Sequence, residues 1–397
     1  MSEIRVNSIG NESNTGGPVL SGITTFSGQQ YFIPPKGTTA ERPSDCPPGS
    51  IRFNTDTSKL EYWQGTVWLE FEASSVELAD QNQTNSAGGL GARGIIAGGN
   101  SAPQNTNSID YISITTLGNS QEFGDLFDGA GFMGGAVAST TRCIFGGGYT
   151  GAGKRNVIQF VTISSTGNSE DFGDMTADGN TGRTSCGGVS DSTRGVFCCG
   201  QNSNGSPYFT NTLSYITMAS NGNDVEFGDC SNPAFNNALN GVSNGTRALF
   251  STGGGPASAR VDYINIQTTG NSIEFGTQNV GGGGHSATTG NKTRGIWGGG
   301  YSGRNEMGYV TISTLGDTVD FGDLTQGRFE AVGLASPTRG VYAGGTNHPG
   351  TPTINNTIDY VEIMTTGNAR EFGDLSYMSP STQGRHVKGH SNGHGGL

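Results

Sequence analysis

Glu122-Phe123-Gly124-Asp125 is a phrase the chain repeats. It returns as Asp171-Phe172-Gly173-Asp174, Glu226-Phe227-Gly228-Asp229, Glu274-Phe275-Gly276-Thr277, Asp320-Phe321-Gly322-Asp323 and Glu371-Phe372-Gly373-Asp374. Successive phenylalanines stand 49, 55, 48, 46 and 51 residues apart. Twelve residues before each is a second aromatic: Tyr111, Phe160, Tyr215, Tyr263, Tyr309 and Tyr360. Further upstream an arginine opens an apolar run, at Arg93, Arg142, Arg194, Arg247, Arg294 and Arg339. Spacing is constant inside the unit and variable between units, which separates a frame from its loops. A period of about 50 residues holding several short strands is the mark of a β-propeller.

The last full unit resolves into four strands, predicted over residues 328–334, 339–343, 358–363 and 369–375. The third alternates apolar and polar residues. Gly367-Asn368 turns the chain into the fourth, and the same turn recurs at Gly118-Asn119, Gly167-Asn168, Gly222-Asn223, Gly270-Asn271 and Gly316-Asp317. A diglycine follows the second strand at Gly98-Gly99, Gly146-Gly147, Gly253-Gly254, Gly298-Gly299 and Gly344-Gly345, while the third unit has Cys198-Cys199-Gly200. The first unit lacks a first strand, and the C-terminus carries a spare one. Residues 384–391 match residues 327–334 position for position. The expectation is six blades, with the two ends of the array paired in one blade.

The diglycine followed by two aromatics at fixed spacing resembles kelch repeats, over about residues 91–397. Kelch repeats carry Tyr and Trp, commonly closer together; here the second aromatic is Phe and the spacing is twelve. The predicted fold is all-β: a six-bladed kelch-like β-propeller preceded by an N-terminal extended arm and a small β-meander. The twelve paired aromatics, Tyr111 with Phe123 through Tyr360 with Phe372, are its structural core. Predicted boundaries are an N-terminal attachment and oligomerisation region at 1–75, a linker at 76–90 and the propeller at 91–397.

Composition narrows the function. Charged residues make up 14% of the 397, against about 25% in an average domain, and glycine is abundant because tight turns and close strand contacts need it. The net charge of −12 disfavours a nucleic-acid partner, which needs a basic stripe. No apolar run reaches the length of a membrane span, and Met1-Ser2-Glu3-Ile4-Arg5 lacks the apolar core of a signal peptide. Cys46, Cys143, Cys186, Cys198, Cys199 and Cys230 are expected to be reduced packing residues of a protein made in a cytoplasm.

No asymmetric catalytic set stands out, and no cofactor or metal is expected. The acids flanking each repeated Phe occur in six equivalent copies, so they are read as partners of the frame arginine or as turn caps. His386, His390 and His394 lie in a glycine-rich stretch with no accompanying Cys or acid at ligand spacing. The glycines before Lys154-Arg155 lack the Ser or Thr that a phosphate loop requires. The stretches between second and third strands, at 100–108, 148–156, 200–211, 255–260, 300–306 and 346–356, vary in length and are rich in Asn, Ser, Gly and Tyr. They are predicted to gather on one face, with Tyr149, Tyr208 and Tyr301 as binding residues for a glycan or protein.

Outside the array, residues 50–53, 60–63 and 67–71 read as a three-stranded meander loaded with Tyr62, Trp63 and Trp68. A meander this small is marginal alone and is expected to pack on a neighbour. Residues 50–68, SIRFNTDTSKLEYWQGTVW, together with the lead Pro34-Pro35-Lys36-Gly37, resemble a module of structural proteins of tailed phages that infect marine cyanobacteria. That resemblance implies a virion protein whose N-terminal attachment region carries the propeller, without saying which part of the virion; the expectation is a non-enzymatic protein of the tail, made in the host cytoplasm. It would be a tail fibre or tail-associated receptor-binding protein whose propeller meets a host-surface glycan or protein. The N-terminal region would contact other virion proteins and form a homo-oligomer, a trimer among the options, with no membrane insertion. The alternatives are a decoration or baseplate protein that uses the propeller only for structural contacts, and a sugar-modifying enzyme, since kelch-type propellers include copper-dependent sugar oxidases.

Overall fold

The computed structural model describes residues 34–57, 59–70, 93–101, 104–129, 134–150, 153–177, 179, 182–202, 209–231, 241–252, 260–279, 285–300, 303–347, 355–376 and 387–394. The protein is all-β. Among the described residues the one helical piece is a single 3-10 turn, Thr39–Glu41. The chain divides into two compact units, Met1–Ser74 and Ser75–Leu397. Of the N-terminal region expected at 1–75, residues 1–33 and 71–75 lie outside the described residues, as does the linker expected at 76–90.

In the first unit, β1 (Lys36–Gly37), β2 (Ile51–Asn54), β3 (Lys59–Trp63) and β4 (Trp68–Glu70) form one sheet in chain order. β1 runs parallel to β2, and the rest is an antiparallel meander. Trp63 and Trp68 sit opposite each other with ring centroids 5.6 Å apart, and Tyr62 lies on the other face, opposite Leu69.

Among the described residues the second unit holds a small two-stranded pair, Asn100–Ser101 with Gln104–Asn105, and six sheets of four or five strands with one plan. The sixth repeat shows it as Val332–Ala335, Arg339–Ala343, Thr357–Glu362 and Arg370–Asp374, each antiparallel to the next. The first strand is shorter than predicted because Glu330 takes a left-handed φ of 60°, which an extended ladder does not accommodate. The third repeat adds a fifth strand, Arg183–Thr184.

In the first repeat, Arg93–Ala97, Ser108–Ser113 and Gln121–Asp125 are completed by Lys388–Ser391. The C-terminal stretch therefore supplies the missing strand, at a register that differs from the predicted match. His390 faces Ile95 as Leu334 faces Val341. Ser391 thus corresponds to Ala335, one residue on from the sequence match. The Gly-Arg cue lies before the strand, where no ladder holds the spacing, and a slip of one residue exchanges the two faces.

Apolar side chains pack between consecutive sheets. Ile95 and Phe123 of the first repeat join Phe145 and Val161 of the second, and Val341 and Phe372 of the sixth join Ile96 and Ile112 of the first. Each predicted aromatic pair meets edge to face, with centroids 5.9 to 6.3 Å apart, a geometry that suits the ring quadrupoles.

The frame arginines are not partners of the acids beside the repeated Phe. Each guanidinium lies 4.2 to 4.6 Å from the third-strand ring of its own repeat. Its Nη1 donates to a carbonyl of the following repeat: Arg93 to Ile163, Arg142 to Met218, Arg194 to Ile266, Arg247 to Ile312, Arg294 to Ile363 and Arg339 to Ile114. A planar, delocalised cation stacks on a ring and still presents an edge donor, which an ammonium does not.

The repeated phrase and the Gly-Asn turn are two halves of one joint. Gly167 N–H donates to Phe123 O, and Asn168 Oδ1 accepts from Asp125 N–H. A Cβ on Gly124 would stand 2.3 Å from Gly167 O, so the phrase needs glycine where the neighbouring turn rests on it. The same contacts link Gly118 with Phe372 and Asn119 with Asp374.

Candidate binding face

The six repeats differ most between their second and third strands. In the second repeat these strands are Arg142–Thr150 and Gly153–Thr162, of 9 and 10 residues. In the third they are Arg194–Asn202 and Phe209–Thr217, of 9 residues each. The fifth and sixth repeats have only 5 and 6. Much of what the sequence offered as loops at 148–156 and 200–211 is therefore ladder. The hydrogen bonds continue past a bulge at Gly146/Gly148 and at Cys198/Gly200.

The two long hairpins are tied together. Lys154 Nζ donates to Asn202 O, and Arg183–Thr184 pairs with Asn202 and Gln201. Arg155 Nε meets Asp128 Oδ2 at 2.8 Å, which raises the Arg155 pKa. Lys154 lies in a strand, paired with Tyr149, and does not open a helix as the lysine of a phosphate loop does; the bulge is at Gly146/Gly148. Tyr149 is exposed near the end of the second-repeat hairpin. Tyr208 and Tyr301 lie outside the described residues, so Tyr149 alone of the predicted binding residues is placed.

Near the start of the first strands, three residues other than glycine hold left-handed φ values: Ser185 (54°), His285 (66°) and Glu330 (60°). Each precedes its strand by two residues. His285 Nδ1 lies 3.2 Å from Glu330 Oε1, and its ring stacks on Phe329. Arg328 is fully buried and meets Asp359 at 2.7 Å; burial still lowers its pKa.

Toward the other end of the first strands, His390 and His394 join Ser190, Ser243, Thr289 and Leu334 around a small pocket. His394 Nε2 lies 2.7 Å from Ala138 O and 3.3 Å from Ser190 Oγ. Burial lowers the His394 pKa to about 4, against the Ala138 carbonyl and Asp191, which raise it. Burial and the neighbouring His394 hold His390 well below the ordinary histidine range. Among the described residues, no group of three or more His, Cys, Asp or Glu is arranged to hold a metal ion. His386 lies outside them.

Two features escaped the sequence reading. One is a disulfide between Cys199 and Cys230, where six reduced cysteines were expected. Cys46, Cys143, Cys186 and Cys198 are not disulfide-bonded. The other is a cap between first and second strands. Ser139, Asp191, Asn244, Asn291 and Ser336 each accept from the backbone N–H of the frame arginine three residues on. Asn392 Oδ1 does the same for Arg93, 299 residues away in the chain. The signal was present, since Thr precedes Arg142, Arg194, Arg247, Arg294 and Arg339, with a capping residue two positions earlier.

No protein-family model and no curated protein matches this chain.

Proposed function

We propose that the second unit is a six-bladed, kelch-like β-propeller closed by its last strand, and that it is the non-enzymatic binding head of a virion fibre-like protein. Support for the ring is the cyclic order of the joints, in which Arg339 reaches the first repeat as Arg93 reaches the second. Support for the virion setting is the N-terminal module, whose sequence resembles structural proteins of tailed phages. On this reading the protein sits on the tail, attaches to other virion proteins through its N-terminal region, and presents the propeller to a host-surface glycan or protein.

The observation that carries the binding role is the pair of tied hairpins in the second and third repeats. They break the sameness of the array and offer exposed Tyr149 beside polar backbone. An aromatic with few rotatable bonds gives contact area at low entropic cost, and its ring face suits a sugar. Single contacts of this size are weak, and attachment is carried by several copies at once.

Particles bearing Tyr149→Ala should assemble normally and adsorb to host cells several-fold less well, and the isolated protein should lose its signal on a glycan array. Normal adsorption would overturn the binding role of this face and favour the decoration or baseplate reading.

A further inference from the structure

The sheet of the first unit leaves an aliphatic face half-exposed. Cross-strand partners place Ile51 opposite Tyr62, Tyr62 opposite Leu69, and Phe53 opposite Leu60. Direct partners share a face, so these five side chains form one apolar surface. Ile51 is 50% exposed, Leu60 42% and Leu69 36%; Val67, just before β4, is 48% exposed. The opposite face carries Arg52, Asn54 and Glu61, which are buried, together with half-buried Lys59, Trp63, Trp68 and Glu70. The proline-rich lead covers it: Arg42 meets Glu61 at 2.6 Å, Arg52 donates to Thr38 O, and Trp68 Nε1 donates to Pro43 O.

The aliphatic side chains Ile51, Leu60 and Leu69 are thus left half-exposed, while the two tryptophans lie on the covered face. Every buried apolar residue among those described belongs to the second unit, from Ile95 onward. Within residues 34–70 the covered face combines the Arg42–Glu61–Arg52 ion pairs, which on their own contribute little to stability, with the Trp63–Trp68 pair, and the aliphatic side chains lie on the other face. A one-sided sheet becomes stable by acquiring a second layer against its apolar face.

We infer that this face packs against the same face of a second copy of this chain, making a two-layer sandwich. Charge favours a like partner. Residues 34–70 hold four basic side chains (Lys36, Arg42, Arg52, Lys59) and five acidic ones (Glu41, Asp45, Asp56, Glu61, Glu70), nearly balanced within a chain of net charge −12. Two such modules meet with little repulsion, and the face itself bears no charge to select an unlike partner. Area sets the strength. Half-exposed side chains of this number offer on the order of 400 Å² per copy, against about 800 Å² per partner in a standard stable interface. The pairing is therefore reversible, and the module's order depends on protein concentration. The inference stands on this face alone, whether or not the chain is a virion protein.

Sedimentation of the full chain over a concentration series should show a monomer–dimer equilibrium. Leu60→Glu should weaken it by about tenfold or more. Wild-type protein that stays monomeric throughout, or a dimer indifferent to Leu60→Glu, overturns the inference. A second readout guards against simple misfolding of that variant. In a Cys46→Ser background, Ile51→Cys should give a cross-linked dimer under mild oxidation, whereas Asp56→Cys, exposed in the turn away from the face, should not. Equal cross-linking at both positions, or none at position 51, also overturns it.

Discussion

Each frame arginine stacks on a ring of its own sheet and reaches a backbone oxygen of the next, so one residue type serves packing and joining at once. Lysine at those positions would keep the charge and lose the stacked fork. Lys388 is the residue whose place the frame does not account for. Its ammonium is buried and has no hydrogen-bond partner. Burial lowers its pKa to about 8 from the ordinary 10.5, although Cys186 and Glu330 raise it. A folded-state pKa below the unfolded one means that the charged form is penalised on folding. The penalty is full at pH 7, roughly 3 kcal/mol, and it is relieved as pH rises from about 8 toward 10.5. Lys388→Met keeps the stem and removes the charge. It should stabilise the protein by up to about 3 kcal/mol at neutral pH, with the gain shrinking in alkaline buffer. Thermal melts of both proteins across that range check this. A loss of stability at pH 7 would mean that the ammonium has a partner in the native protein.

At the scale of the strand, the third repeat departs from its siblings in one covalent way. Where the other repeats place Gly98, Gly147, Gly299 or Gly344 in the left-handed region after the second strand, it places Cys199, at φ 54°. Where they bury Leu126, Met175, Leu324 or Leu375 after the repeated phrase, it buries Cys230. The disulfide closes a loop of 31 residues, worth roughly 3 to 4 kcal/mol in chain entropy, less about 1 to 2 kcal/mol for a side chain in left-handed backbone. Reductant should therefore lower the melting temperature of the wild type. The double change Cys199→Gly with Cys230→Leu restores the pattern of the other repeats and should melt at one temperature with or without reductant. A wild type indifferent to reductant would sink the disulfide's role. The sequence disclosed what repeats: the aromatic pairs, the arginines and the turns were legible because six copies agree. The disulfide occurs once, on residues too far apart for local spacing to relate them. The meander was half legible, since its three strands and their aromatics could be read but the choice of covered face depends on where the proline-rich lead lies. The long hairpins were misread as loops because their Gly, Asn and Ser content signals turns, while tertiary pairing holds them as ladder.

Over the whole molecule, the repeats are joined in the same way at each step, and one step spans the two ends of the array. There Lys388–Ser391 pairs with Arg93–Ala97, Asn392 caps Arg93, and Ser391 Oγ donates to Ala335 O of the sixth repeat. The same short segment carries His390 and His394, and His394 bonds Ala138 of the second repeat and contacts Ser190 of the third. In the closed propeller proposed above, these residues hold the seam, and their titration becomes a property of the whole ring. The folded His394 pKa of about 4 lies below the ordinary 6.5, so the unfolded chain binds the extra proton first. Stability is complete above about pH 6.5 and falls as pH drops toward 4, by roughly 3 kcal/mol from this residue. His390 is displaced in the same direction and steepens the fall. His394→Gln retains an amide donor for the Ala138 carbonyl and does not titrate. It should cost little at pH 7.5 and flatten the stability profile between pH 6.5 and 4. Denaturant melts at a series of pH values measure this directly. If the variant and the wild type lose stability in parallel, acid sensitivity arises elsewhere, and the buried histidine pair is neutral packing at the seam.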